Sequence, residues 1–137
     1  MGQSAAETAI SAYYAAFNAG DIAGMLACLH DDFAHHVNEG AVRLGRAAFA
    51  EFCAHMALTY AEELREIVVM ADAAGGRAAA EFVVHGRYLK TDPGLPDARG
   101  QTYVLPAGGF FALKDGKITR VTTYYNMTDW IRQVRHS

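Results

Sequence analysis

Apolar residues fall at two spacings along this chain, and the change from one to the other divides it into elements. Ile10, Tyr13, Tyr14 and Phe17 recur at i, i+3, i+4 and i+7, which is one face of a helix. Ile22, Met25, Leu26 and Leu29 repeat that spacing, and Phe49, Phe52, Cys53 and Met56 do so again. Between the second and third sets, Phe33, His35, Val37 and Glu39 alternate with Ala34, His36 and Asn38, which is the period of a strand. Ser4-Ala5-Ala6-Glu7 reads as a capping box opening the first helix. Gly20 fits the left-handed position after a helix end. Asp21 can cap the second helix, and His30 falls at its end, where a partial positive charge suits the dipole. The third helix is predicted to follow Gly45.

The second half keeps the strand period. Glu63–Ala71 and Arg77–Tyr88 read as two long strands around Ala74-Gly75-Gly76, and 91–100 is a loop carrying Pro93, Gly94, Pro96 and Gly100. Tyr103–Leu113 and Lys117–Met127 form another hairpin at Lys114-Asp115-Gly116. Pro106, Gly108 and Gly109 predict a bulge or bend inside the first of these strands. Helices followed by strands give an α+β class. The expected form is a cone, with three N-terminal helices on a strongly curved antiparallel sheet that encloses a pocket. Residues 1–137 are expected to form one domain, since 137 residues suffice for one core.

Composition narrows the partners. Twelve Lys and Arg against fifteen Asp and Glu give a formal charge of −3, with no basic cluster, so no nucleic acid is expected. No run is long and apolar enough for a membrane span, and Met1-Gly2-Gln3-Ser4 does not open a signal peptide. A cytoplasmic protein is the expectation, with Cys28 and Cys53 as free thiols. No nucleotide, nucleophile-elbow or haem motif is present, so no cofactor is expected.

Among residues suited to chemistry, His35 shares a strand face with Phe33 and Val37, and imidazole can serve as acid or base near neutral pH. It reads equally well as a buried histidine bonded to a neighbour. Glu39 lies on the same face, able to polarise His35 or act as a base, or simply to sit in solvent. Tyr13 is a hydroxyl donor on the helix face, or a core tyrosine. His36 points the other way, so the two histidines cannot share a metal, and no metal site is expected. His55 reads as a surface residue, and His85 and Arg87 as facing outward or toward a second subunit. A pocket wall of Phe17, Phe33, Val37, Met56, Phe82, Val84, Tyr103, Leu105, Val121, Thr123 and Tyr125 is expected from the alternation and stripes.

The stretch Tyr13-Tyr14-Ala15-Ala16-Phe17-Asn18-Ala19-Gly20-Asp21, continued by Asp31-Asp32-Phe33-Ala34-His35-His36-Val37, resembles the opening of the ketosteroid isomerase-like (SnoaL-like) proteins of the nuclear transport factor two-like superfamily. The element order continues to match as far as Lys117-Ile118-Thr119-Arg120-Val121. The resemblance implies the cone fold, a homodimer through the convex sheet face, and a pocket for a small apolar molecule. It implies that Tyr13 matches the tyrosine that donates to the developing enolate oxygen of the steroid isomerases. It places Val37 where their aspartate base stands, and Gly108 where their protonated aspartic acid stands, so that Gly108 joins the expected pocket wall through the resemblance. Two of three functional groups are thus replaced. The first reading is an isomerase- or cyclase-type enzyme moving a proton on an apolar carbonyl or polyketide-like substrate through His35 and Tyr13, without steroid isomerase activity. The alternatives are a non-catalytic pocket for a hydrophobic metabolite, or an interaction module.

Overall fold

The computed structural model describes residues 2–136. Helix α1 (Gln3–Asn18) turns at Gly20 (φ 70°) into α2 (Ile22–Ala27), which the Asp21 carboxylate caps by accepting from the Gly24 N–H at 2.9 Å. Strand β1 (Leu29–Val37), the short β2 (Arg43–Leu44) and α3 (Arg46–Thr59) follow. Then come β3 (Tyr60–Ala71), β4 (Arg77–Tyr88), β5 (Thr102–Lys114), β6 (Lys117–Tyr125) and α4 (Met127–Arg135). The strands form one curved, unclosed sheet in the order β2-β1-β6-β5-β4-β3. The class is α+β, with helices packed on the sheet as in the nuclear transport factor two-like cone. No helix among the described residues is long and apolar enough to cross a membrane.

Local details depart from the sequence reading in five places. The α1 cap is Gly2, with no side-chain bond, so Ser4 lies inside the helix and the capping box does not form. The Ser4 carbonyl instead accepts from the Thr8 hydroxyl at 2.9 Å. His30 belongs to β1 rather than to a helix end, because α2 stops at Ala27. The sheet is mixed, since β1 and β6 run parallel and only the other pairs are antiparallel. Pairing of β4 with β5 continues without a shift past Pro106, Gly108 and Gly109, so no bulge occurs there. Pro106 is tolerated because the β6 pairing begins only at Ala107, leaving its missing N–H on an unpaired side. The chain after Tyr125 is helical: Asn126 caps α4 by accepting from the Asp129 N–H, and Trp130 and Val134 bury one face.

The bulge is in β3. Glu66 has φ 55°, and the register with β4 shifts between Arg65 and Val68. Before it the inward residues are Tyr60, Glu62 and Leu64; after it they are Ile67, Val69 and Ala71. That change of phase bends the edge strand over the helices. Two amide side chains then satisfy exposed strand backbone. Asn18 exchanges two 2.9 Å bonds with Leu64, and Gln133 bonds the N–H and carbonyl of Val104 at 3.0 and 2.9 Å. The core between helices and sheet is built on Ile10, Phe33, Phe49, Phe111 and Ile118, all nearly inaccessible.

Candidate functional site

The helices and the inner sheet face leave a cavity of about 760 Å³, within the range that holds drug-sized ligands. At one part of its wall α1 sets Tyr13, Tyr14 and Phe17, one helical turn of the stripe that packs on the sheet. β1 brings His35 and Val37 to the same cavity, and α3 contributes Phe49, Phe52 and Met56. Phe82 and Val84 of β4, Leu105 of β5, and Thr123 and Tyr125 of β6 complete the sequence-predicted residues that line it. Glu39 also reaches it, from the exposed turn after β1. Asn38 holds that turn in place: it adopts φ 48°, its N–H donates to the Thr123 carbonyl, and its side-chain oxygen accepts from the Tyr125 N–H, both at 2.9 Å.

Four expected wall residues do not line the cavity. Phe33 lies behind, its ring 5.1 Å from that of Phe49 and 6.3 Å from that of His35. Val121 is paired with His35 and buried in the core. Gly108 has the wrong parity, because Leu105, Ala107 and Gly109 are the inward positions of β5, and Ala107 takes the place in the wall. Tyr103 is drawn aside by the hydrogen bond described below. His36 stays off the cavity, and His55 is bound at the surface to Asp92 at 3.0 Å.

The ring of Phe49 joins Tyr13 to His35. It stacks on Tyr13 at 6.4 Å between centroids and meets the His35 imidazole edge-on at 4.8 Å. His35 is 3% exposed, and its Nδ1 has no hydrogen-bond partner. Burial, and then the Arg43 and His36 charges, push its pKa down to about 4, so the imidazole is uncharged at neutral pH. Arg43 pairs with His35 across β1 and β2; its guanidinium lies 4.3 Å over the Phe52 ring, whose centroid is 4.7 Å from that of His35. Among the described residues no hydrogen bond joins Glu39 to His35. The Tyr14 hydroxyl is also buried without a partner, and it occupies the space that a β-carbon at Gly109 would need, 2.7 Å away. Burial raises the pKa of both Tyr13 and Tyr14, which keeps them as neutral donors. Cys53, also in the wall, has its thiol pushed up to about 11 by burial and is unreactive near neutrality.

A second polar group lies outside the sequence-predicted set. Glu62 lines the cavity and accepts a hydrogen bond from the Tyr103 hydroxyl, which crosses Gly86 to reach it. Burial raises the Glu62 pKa, and the Tyr103 bond opposes that rise. Close by, Tyr60 donates to Asp92 Oδ2 at 2.7 Å, and Trp130 packs edge-on against Tyr60, Tyr88 and Tyr103. The chain does carry a signal for Glu62, because Tyr60, Glu62 and Leu64 alternate, but a strand read as starting at Glu63 leaves it out. Trp130 belongs to α4, which the strand reading of Lys117–Met127 hides, and Asp92 to a loop whose composition says nothing of its direction.

Comparison with known proteins places this geometry. Residues 10–121 match the SnoaL-like domain. A crystal structure from Silicibacter sp. TM1040, provisionally named a polyketide cyclase, is 58% identical, with TM-score 0.94 and 98% of each chain covered. One from Xanthomonas campestris pv. campestris, named in the same provisional way, is 56% identical, with TM-score 0.93 over 96% of this chain and 98% of that one. An LEH-like epoxide hydrolase of M. tuberculosis shares the fold at 19% identity, with TM-score 0.77 over 97% of this chain and 91% of its own. No curated protein matches the sequence significantly.

Proposed function

This chain belongs to the SnoaL-like domain family, and we propose that its cavity carries out cofactor-free proton transfer, of the isomerase or cyclase type, on a small and largely apolar carbonyl compound. One observation carries this reading. Uncharged polar groups without protein partners, His35 Nδ1 and the Tyr14 hydroxyl, are buried in the part of the cavity wall that also holds Tyr13, Phe49 and Phe82. An unpaired buried polar atom is costly unless a ligand completes it. When a carbonyl compound loses an α-proton, charge gathers on its oxygen, and neutral donors in a water-poor site stabilise that charge strongly. Tyr13 is the group assigned to that oxygen.

The role of His35 differs from the one the sequence suggests. A proton accepted by His35 would create a buried imidazolium, which the surroundings resist down to pH about 4. His35 is assigned instead as a neutral hydrogen-bonding partner of the substrate, as uncharged imidazole can be in other enolising sites. The relatives named as polyketide cyclases support a polyketide-like substrate. A binding protein without turnover is the second reading, favoured by Val37, which lines the cavity where the steroid isomerases carry their base. A homodimer through the outer sheet face fits the half-exposed Phe110 and Tyr124, whose rings lie 6.0 Å apart on that face.

The test is α-proton exchange of 2-tetralone in D₂O, followed by proton NMR. Wild-type protein should accelerate exchange, and Tyr13→Phe should slow it about a hundredfold, the usual loss of one oxyanion donor. Saturable binding of 2-tetralone with no acceleration would leave only the binding reading.

A further inference from the structure

We propose that Glu62 is the group that takes and returns the substrate proton, with Tyr103 as its positioning residue; this rests on the proton-transfer reading above. A row of three residues crosses three strands here. Glu62 on β3 pairs with Gly86 on β4, and Gly86 pairs with Tyr103 on β5. A β-carbon at Gly86 would come within 2.2 Å of the Tyr103 ring, so only glycine lets the phenol lie across the middle strand. The hydroxyl then meets Glu62 Oε2. Tyr103 itself is 2% exposed and fixed by Trp130, so the carboxylate is held from a rigid base. Glu62 is also a wall residue of the cavity that contains Tyr13 and His35.

Charge decides between Glu62 and His35 as proton acceptor. Imidazole becomes charged when it accepts a proton, whereas a carboxylate becomes neutral. The same partly dry surroundings therefore oppose the first reaction and favour the second. The groups facing this site sharpen the contrast. They are Tyr103 on β5, Tyr60 on β3, Tyr125 on β6, Trp130 on α4, Asp92 in the loop after β4, and Glu39 beyond β1. Arg43 also lines the cavity, from β2, where it pairs with His35 on β1; the group that favours the charged form of Glu62 is the Tyr103 hydroxyl.

The step balances without another reagent. The Glu62 carboxylate takes the proton from the carbon next to the carbonyl, and the C–H electron pair becomes the C=C bond of an enolate whose oxygen Tyr13 receives. The Glu62 carboxylic acid then returns the proton, to another carbon in an isomerisation or to the new alkoxide in a ring closure.

Base-promoted opening of 5-nitrobenzisoxazole tests this without knowledge of the natural substrate. A base removes the ring C–H proton, that electron pair forms a nitrile, the N–O bond breaks, and coloured 2-cyano-4-nitrophenolate is released. Wild-type protein should be faster than acetate at equal concentration, with a rate rising through a midpoint above the ordinary carboxylate range. Glu62→Gln, which still accepts from Tyr103, should lower the rate about a hundredfold or more. Tyr103→Phe should move the midpoint upward while keeping the high-pH rate within a fewfold. Glu63→Gln, on the exposed outer side, should change neither. Wild-type activity no better than acetate, full activity in Glu62→Gln, or an unmoved midpoint in Tyr103→Phe would each overturn the assignment. The 2-tetralone exchange reports separately: exchange that survives in Glu62→Gln removes Glu62 and keeps the function, whereas no exchange in wild type removes the function and leaves the isoxazole profile to judge Glu62.

Discussion

Gly86 lies directly under the phenol of Tyr103, so close that a β-carbon there would fall 2.2 Å from Cζ and 2.5 Å from the hydroxyl oxygen. Gly86→Ala must therefore displace a ring that the core does not let move. A loss of about 1–3 kcal/mol in unfolding free energy is expected, as for other overpacked sites. Urea denaturation measures it. The variant should also behave like Tyr103→Phe in the isoxazole pH profile, because the donor to Glu62 is pushed away.

The uncharged His35 makes the fold sensitive to acid. Its pKa is about 4 when folded, against 6.5 when exposed. Between these values the unfolded chain binds the extra proton, so stability is full above pH 6.5 and falls as pH drops toward 4. The whole loss is about 3 kcal/mol, because each pH unit separating the two values is worth about 1.4 kcal/mol. Urea midpoints at pH 7, 6, 5 and 4 should show wild type losing this amount relative to His35→Leu. Parallel curves for the two proteins would contradict a buried neutral imidazole.

Steroid isomerisation should be weak or absent. Val37 lines the cavity but can take no proton, and neither Ala107 nor Gly108 offers a side-chain donor. Loss of one oxyanion donor alone is worth about 3–4 kcal/mol in related chemistry. Spectrophotometric assay with a 5-ene-3-ketosteroid should show no robust turnover, and brisk conversion would refute this account of the wall.

Much of this arrangement is legible from periodicity. The three apolar stripes and the alternation of β1 put Tyr13, His35 and Val37 on surfaces that close over one another. What escapes has physical causes. The bulge at Glu66 reverses which residues of β3 face inward, and the alternation on either side of it cannot show where the phase changes. Counting from Pro106 selects Gly108, yet side-chain parity sends Ala107 inward. Helix α4 is hidden because Met127 prolongs an apparent strand, although Asn126 and Asp129 carry a cap. The link from Tyr103 to Glu62 depends on a strand pairing that no local pattern reveals.

The convex sheet face bears half-exposed Phe110 and Tyr124, with Val104 similarly open on β5. Sedimentation velocity at micromolar concentration should give twice the 14.8 kDa chain mass. Phe110→Glu should shift the distribution toward monomer by placing a charge in the apolar contact. A wild-type monomer at these concentrations would remove the dimer.

The Tyr13–His35 part of the cavity is assigned to receive the substrate oxygen, and everything proposed for the chemistry depends on it. A crystal structure with 2-naphthol, a planar mimic of the 2-tetralone enolate, measures this most directly. The naphthol rings should lie against Phe49 and Phe82, with the oxygen within hydrogen-bond distance of the Tyr13 hydroxyl or a His35 nitrogen. A naphthol oxygen directed at solvent or at Asp92, away from both residues, would contradict it.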